Sequence, residues 1–229
     1  MTYAIVPAGG LGTRMGSRRP KQYLRLGRVP ILVATLRALG RARGLAGIVV
    51  AVPEAHVVET RRLLARLQVP RILEVVAGGA DRQESVWRAL QRIPERAERV
   101  LVHDAVRPFI DAALVARVLA AAASGGAATC GIPVRETVKR VGAGGAIEAT
   151  IQRQGLWLTQ TPQAFTRALL WEAHDKARRD GFAGTDDAVL VERLGVTVAM
   201  VQGLGQNLKI TTPEDLLTAR AWAAPRRRG

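Results

Sequence analysis

Short apolar runs and longer amphipathic stretches alternate along the chain. Residues 3–7 form a continuous apolar run, as expected of an interior strand of a parallel sheet, buried on both faces. Residues 31–39 follow with helical spacing, Ile31, Leu32, Leu36 and Leu39 sharing one side. Residues 47–52 read as a second buried strand closed by Pro53, 57–67 as a helix and 71–77 as a strand. Asp81-Arg82-Gln83-Glu84 has capping-box character, with Asp81 as N-cap of a helix through Leu90. The pattern continues with a strand at 99–103, a helix at 112–123 behind Asp111, and a strand at 127–133. Such alternation predicts an α/β fold: a doubly wound, mostly parallel sheet, with ligands at the carboxyl ends of its strands.

The rhythm changes after Pro133. Residues 137–141 and 146–151 are short strand-like pieces joined by Gly142-Ala143-Gly144-Gly145, which predicts a protruding β-hairpin arm at about 135–154. A lone hairpin is marginal in water, so the arm should pack on something, a second subunit being the natural candidate. Helices at 167–179 and 186–194 and a strand at 196–201 then resume the pattern. Thr212-Pro213-Glu214-Asp215 supplies an N-cap, a proline at the first helical position and acids in the first turn. No linker divides the 229 residues, which fit one domain.

Composition narrows the class. The hydrophobic fraction of 48% suits a buried core, and no apolar run reaches the roughly 18 residues of a membrane span. The single Cys130 excludes an internal disulfide and suggests a cytoplasmic setting; its apolar neighbours suggest a core residue. The formal charge of +15 raises the prospect of nucleic acid. Of 34 basic residues only four are lysines, Lys21, Lys139, Lys176 and Lys209, and the arginines are scattered, without a stripe. Aromatic residues for base stacking make up only 4%. Arg226-Arg227-Arg228 is the one true basic run, and it is short. A basic nucleic-acid-binding domain remains a rival reading, but phosphate-rich small substrates account for part of the charge equally well.

The first strand empties into Pro7-Ala8-Gly9-Gly10-Leu11-Gly12-Thr13-Arg14, followed by Pro20-Lys21-Gln22-Tyr23. Gly9, Gly10 and Gly12 leave no side chain between backbone N–H groups and an incoming anion, and Arg14 and Lys21 add two cations. Walker A is excluded because no Lys-Ser/Thr pair follows the glycines. The G-x-G-x-x-G dinucleotide fingerprint is excluded because its last glycine falls late and Pro20 blocks an immediate helix. An ordinary glycine-rich turn would use the same residues. The loop resembles that of nucleotidyltransferases acting on sugar or polyol phosphates.

Asp104 ends the strand 99–103, where a carboxylate suits Mg²⁺ bound together with phosphate oxygens and water. A helix cap is the alternative, but Asp111 stands better placed for that. His103 beside it is ambiguous. Arg107 would serve as a phosphate fork or as a partner of Asp104. The second glycine turn, from Gly78-Gly79 to Ser85, would contact a base or ribose or be a plain turn between strand and helix.

Taken in order, these motifs resemble the 2-C-methyl-D-erythritol 4-phosphate cytidylyltransferases over nearly the whole chain. The likeness extends through His103-Asp104-Ala105-Val106-Arg107-Pro108 and 133–139 to Arg153-Gln154-Gly155-Leu156-Trp157, Thr161-Pro162-Gln163, Thr185-Asp186-Asp187-Ala188 and Asn207-Leu208-Lys209-Ile210-Thr211. The resemblance implies transfer of CMP from CTP to the polyol phosphate with release of pyrophosphate, on a nucleotidyltransferase fold of Rossmann-like type.

It further implies that Pro7, Ala8, Gly9, Gly10 and Gly12, with Arg14 and Lys21, hold the CTP phosphates. Gly79 and Ser85 would lie at the base and ribose, Ala105 would also contact the nucleotide, and Asp104 would lie at Mg²⁺. Arg107, Thr161, Thr185 and Lys209 would surround the acceptor phosphate. Thr137 and Arg153 would reach it from the arm of the partner in a homodimer. Arg14, Lys21, Arg153 and Lys209 are the catalytic candidates. No nucleic acid or membrane partner is implied. Ala80, where the family often has an acid beside the base, and Val106, where it has a smaller alanine, depart from the pattern. A cytidylyltransferase for another polyol phosphate, such as ribitol 5-phosphate, remains the nearest alternative.

Overall fold

The structure, a computed structural model, describes residues 1–10 and 20–224. Among the described residues the strands are β1 (Thr2–Pro7), β2 (Arg25–Leu26), β3 (Val29–Pro30), β4 (Leu45–Val52), β5 (Ile72–Ala77), β6 (Arg99–Val102), β7 (Ala127–Pro133), β8 (Val138–Val141), β9 (Ile147–Ile151), β10 (Trp157–Thr166) and β11 (Ala199–Gln202). The helices are α1 (Ile31–Gly40), α2 (Val57–Arg66), α3 (Arg82–Leu90), α4 (Ala112–Gly125), α5 (Arg167–Arg179), α6 (Asp187–Glu192) and α7 (Pro213–Ala223).

Seven strands form one sheet in the order β11-β7-β10-β6-β1-β4-β5. β1 is buried along its whole length and pairs in parallel with β6 and β4. Its side chains alternate between two cores, as the pleat requires. Ala4 and Val6 join Leu32, Leu36, Leu64, Leu114 and Val118 under α1, α2 and α4. Tyr3 and Ile5 join Val86, Leu90, Leu170 and Val191 under α3, α5 and α6. The doubly wound α/β sheet is therefore as the alternation predicts. No helix among the described residues is long and apolar enough to cross a membrane.

One interior strand escapes the pattern. β10 runs antiparallel between β6 and β7, where the sequence reading has no strand. Its residues, Trp-Leu-Thr-Gln-Thr-Pro-Gln-Ala-Phe-Thr, mix polar and apolar positions around a proline that has no N–H to give the ladder. The structure absorbs this with a break in register between Gln160 and Ala164, which brackets Pro162.

Helix starts follow their local chemistry. Asp111 accepts from Leu114 N–H, Asp186 from Val189 N–H, and Thr212 and Asp215 form a complete capping box. At α3 the box is modified: Asp81 accepts from Glu84 N–H, but the Glu84 carboxylate takes the N–H of Ala80, one residue farther back. The β8–β9 hairpin forms its own two-stranded sheet, with Val141 and Ile147 exposed.

Candidate active site

The strand ends β1, β4, β5 and β6 converge on one edge of the sheet. Ala8 N–H donates to Ala51 C=O at 2.6 Å, Gly78 N–H to Val52 C=O at 2.7 Å, and His103 N–H to Ile5 C=O at 3.0 Å. The segments leaving these strands line a cavity of about 400 Å³. Pro7, Ala8, Gly9 and Gly10 form one wall, Lys21 and Gln22 another, and Asp104, Ala105 and Val106 a third. Gln22 secures the glycine loop by donating to Ala8 C=O at 2.6 Å. Gly12 and Arg14, expected at the same loop, lie outside the described residues, as does Arg226-Arg227-Arg228.

The second glycine turn supports this cavity from below. Ser85 is fully buried, its hydroxyl donating to Asp81 C=O at 2.7 Å and accepting from Gly79 N–H at 3.1 Å. A Cβ on Gly9 would stand 2.9 Å from that hydroxyl oxygen, and one on Gly78 2.7 Å. Glycine is thus required because two loops close over one serine. Ala80 itself lines the cavity. Val106 contributes to the wall while packing with Leu26, Ile31 and Ile210, so its extra bulk is shared with an apolar cluster.

A second cavity, of about 240 Å³, adjoins the first and is lined by Arg107, Thr161, Gln163, Thr185 and Asp186 among others. Three side chains face both: Arg82, Asp104 and Lys209. Asp104 is the centre of this wall. Its Oδ1 lies 3.2 Å from Arg82 Nε, and its Oδ2 lies 3.2 Å from Arg107 Nε and 3.0 Å from Lys209 Nζ. Burial alone would raise the pKa of Asp104; Arg82, Lys209 and Arg107 outweigh it and hold the carboxyl far below its usual range. Arg107 is a partner of Asp104 as well as a cavity residue, and its Nη1 donates to Asn207 C=O at 2.8 Å.

A chain of hydrogen bonds fixes the loop that carries Asp104. Asp104 N–H donates to the Thr161 hydroxyl at 3.0 Å. That hydroxyl lies 3.0 Å from His103 Nδ1, and His103 Nε2 lies 3.1 Å from Arg107 C=O. A carbonyl only accepts, so Nε2 carries the proton and Nδ1 accepts from Thr161. Burial of His103 lowers its pKa to about 4, consistent with a neutral ring that braces the loop.

Asp104 is one hard oxygen donor on the shared wall. Among the described residues no group of three or more His, Cys, Asp or Glu could hold a metal. The set therefore fits Mg²⁺ only in the form that ion commonly takes, one carboxylate completed by phosphate oxygens and water.

The expected residues divide into those the structure gathers and those it does not. Pro7, Ala8, Gly9, Gly10, Lys21, Asp104, Ala105, Arg107, Thr161, Thr185 and Lys209 line the two cavities. Gly79 and Ser85 lie in the turn beneath. Thr137 and Arg153 are exposed and line neither cavity of their own chain; Arg153 donates to Arg135 C=O. Sequence reasoning missed Arg82, although its place at the first turn of a helix opening at a strand end was a usable signal.

A family model described as IspD, 2-C-methyl-D-erythritol 4-phosphate cytidylyltransferase, matches residues 2–224. The chain belongs to this family. The 2-C-methyl-D-erythritol 4-phosphate cytidylyltransferase of Syntrophus aciditrophicus is 46% identical to it over 96% of this chain and 94% of its own length. That of Bacillus cytotoxicus is 43% identical over 98% of each. Among solved structures, the cytidylyltransferase of Thermus thermophilus superposes with a TM-score of 0.79 at 40% identity, covering 96% of this chain and 97% of its own. 4-Diphosphocytidyl-2C-methyl-D-erythritol synthase from Anaerococcus prevotii gives 0.84 at 27% identity, covering 97% of each chain. The likeness to these cytidylyltransferases therefore runs through both cavities and the arm.

Proposed function

We propose that this chain carries out the reaction of its family, cytidylylation of 2-C-methyl-D-erythritol 4-phosphate by CTP, across the wall its two cavities share. The observation that carries the residue assignment is that wall: Asp104 and Lys209 face both spaces, so two substrates placed in them would meet there. The 4-phosphate oxygen of the acceptor attacks the α-phosphorus of CTP. A new P–O bond forms, the bond from the α-phosphorus to the bridging oxygen breaks, and pyrophosphate leaves with that electron pair. The acceptor phosphate is already an anion, so no general base is required.

The protein's work is then positioning and charge neutralisation. The amides of the Ala8-to-Gly12 loop, with Arg14 and Lys21, would hold the triphosphate. Gly79 and Ser85 would frame the base and ribose, and Ala105 would also contact the nucleotide. Arg107, Thr161, Thr185 and Lys209 would hold the acceptor. Asp104 would hold Mg²⁺, which when bound would offset negative charge on the phosphate oxygens.

Thr137 and Arg153 would complete the acceptor site of a second copy. The exposed arm, with Val141 and Ile147 uncovered, supports a homodimer. A cytoplasmic location is supported by the lone buried Cys130.

The test is pyrophosphate release from CTP and Mg²⁺ with 2-C-methyl-D-erythritol 4-phosphate and, separately, ribitol 5-phosphate. Turnover with the first and little with the second is expected; the reverse would shift the assignment to another polyol phosphate. Lys21→Ala should abolish most turnover in a folded protein. Deleting residues 138–150 should give an inactive monomer by light scattering, and a fully active monomer would overturn the dimer. Salt-dependent retention of duplex DNA in filter binding, without turnover, would favour the nucleic-acid reading instead.

A further inference from the structure

Arg82 shares the wall between the cavities with Asp104 and Lys209 yet has no part in the scheme above. Its guanidinium is clamped from two sides. Nε lies 3.2 Å from Asp104 Oδ1 and Nη1 2.8 Å from Asp187 Oδ2. Asp187 is itself buried and fixed: its Oδ1 lies 3.0 Å from His174 Nε2, and its N–H donates to Gln163 Oε1 at 3.1 Å. Among the described residues Nη2 of Arg82 is buried and has no hydrogen-bond partner, while the side chain as a whole is 27% exposed where it lines the two cavities. The side chain springs from the first residue of α3, the end at which a helix favours anions.

We propose that Arg82 is a further cation of the reacting centre, donating from its guanidinium to the phosphate oxygens that meet where the two cavities join. The proposal rests on the cytidylyltransferase reading of this site. A planar fork can serve two carboxylates and still present N–H groups to a phosphate, whereas a lysine ammonium in its place offers a single point charge. Asp187 and His174 hold the fork before substrate arrives, so little reorganisation accompanies the transfer. Burial would weaken the charge of Arg82, but Asp187 and Asp104 more than offset it and keep the group protonated.

The experiment is steady-state pyrophosphate release by the unsubstituted chain, its Arg82→Lys variant, and the double variant Arg82→Gln/Asp187→Asn. The double variant neutralises the buried carboxylate that loss of the arginine would strand, so it should fold even where the single variant does not. In each folded variant kcat should fall about 100-fold or more while KM for CTP moves less than about threefold, the pattern of a lost transition-state contact. The loss should persist at saturating Mg²⁺. A kcat within about threefold of the unsubstituted enzyme in either variant would overturn the proposal. Recovery in excess Mg²⁺ would do the same, because the effect would then belong to Asp104. If the unsubstituted chain releases no pyrophosphate, the cytidylyltransferase reading itself fails, which the parallel assay keeps distinct from failure of the role given to Arg82.

Discussion

Lys209 Nζ lies 3.0 Å from Asp104 Oδ2, joining the loop after β11 to the loop after β6 on the wall between the cavities. The pair puts a cation beside the proposed metal carboxylate, at the point where two phosphates would react. The Lys209 side chain is 42% exposed while Asp104 is buried, and Arg82 and Arg107 stay on Asp104 when Lys209 is lost, so its removal should cost little stability.

Lys209→Ala should therefore separate activity from stability. Turnover should fall by about 10²–10³, the usual consequence of losing one charge-stabilising donor. The melting temperature should stay unchanged. Pyrophosphate release and thermal unfolding on the same preparation check both halves, and an active variant would remove Lys209 from the reacting centre.

Thr161→Val should cost stability as well as acceptor binding. Valine keeps the shape but strands Asp104 N–H and His103 Nδ1 in a buried place. A loss of about 1–3 kcal/mol is expected for such unmade hydrogen bonds, read by urea unfolding. Thr161→Ser, which keeps the hydroxyl, should recover most of it.

The two glycine turns should respond differently to a single methyl group. Among the described residues a Cβ on Gly10 meets nothing within 4 Å, so Gly10→Ala should leave stability intact. It should raise KM for CTP, because the methyl group projects where the loop amides meet phosphate. At Gly78 the Cβ would lie 2.7 Å from the buried Ser85 hydroxyl oxygen, and Gly78→Ala should destabilise by about 1–3 kcal/mol through overpacking. Equal effects of the two substitutions on Tm would contradict the geometry.

Cys130 gives a pH test. Burial pushes its thiol up to about 12, against roughly 8.5 for a free cysteine. The folded chain keeps a proton above pH 9 that the unfolded chain releases, so this group removes stability as pH rises from about 8.5 toward 12. Native protein should resist iodoacetamide at pH 8.5 and react once unfolded in urea. Alkylation of the native chain at the unfolded rate would show the thiol to be accessible.

Much of the fold was legible because local patterns are short-range physics. β7 and α5 fall where periodicity put them, and Asp81, Asp111 and Thr212 cap helices because each needs only a backbone N–H three residues on. The same locality explains what was missed. β10 has no periodic signature because Pro162 and its polar neighbours are accommodated by β6 and β7, which lie elsewhere in sequence. Strand pairing of that kind depends on partners, and propensity is a weak guide to it.

At the site, sequence alone determined which residue types stand at the strand ends: the glycines, Lys21, Asp104, Arg107 and Lys209. It did so because phosphate chemistry demands small backbones and fixed charges, which motifs record. Only the tertiary structure decided that Arg82 and Lys209 join the neighbouring Arg107 on Asp104, and that the Ser85 hydroxyl lies under Gly9 as well as Gly78. Those relations arise from through-space Coulomb attraction and close packing between chain segments far apart in sequence, and no local pattern encodes such distances.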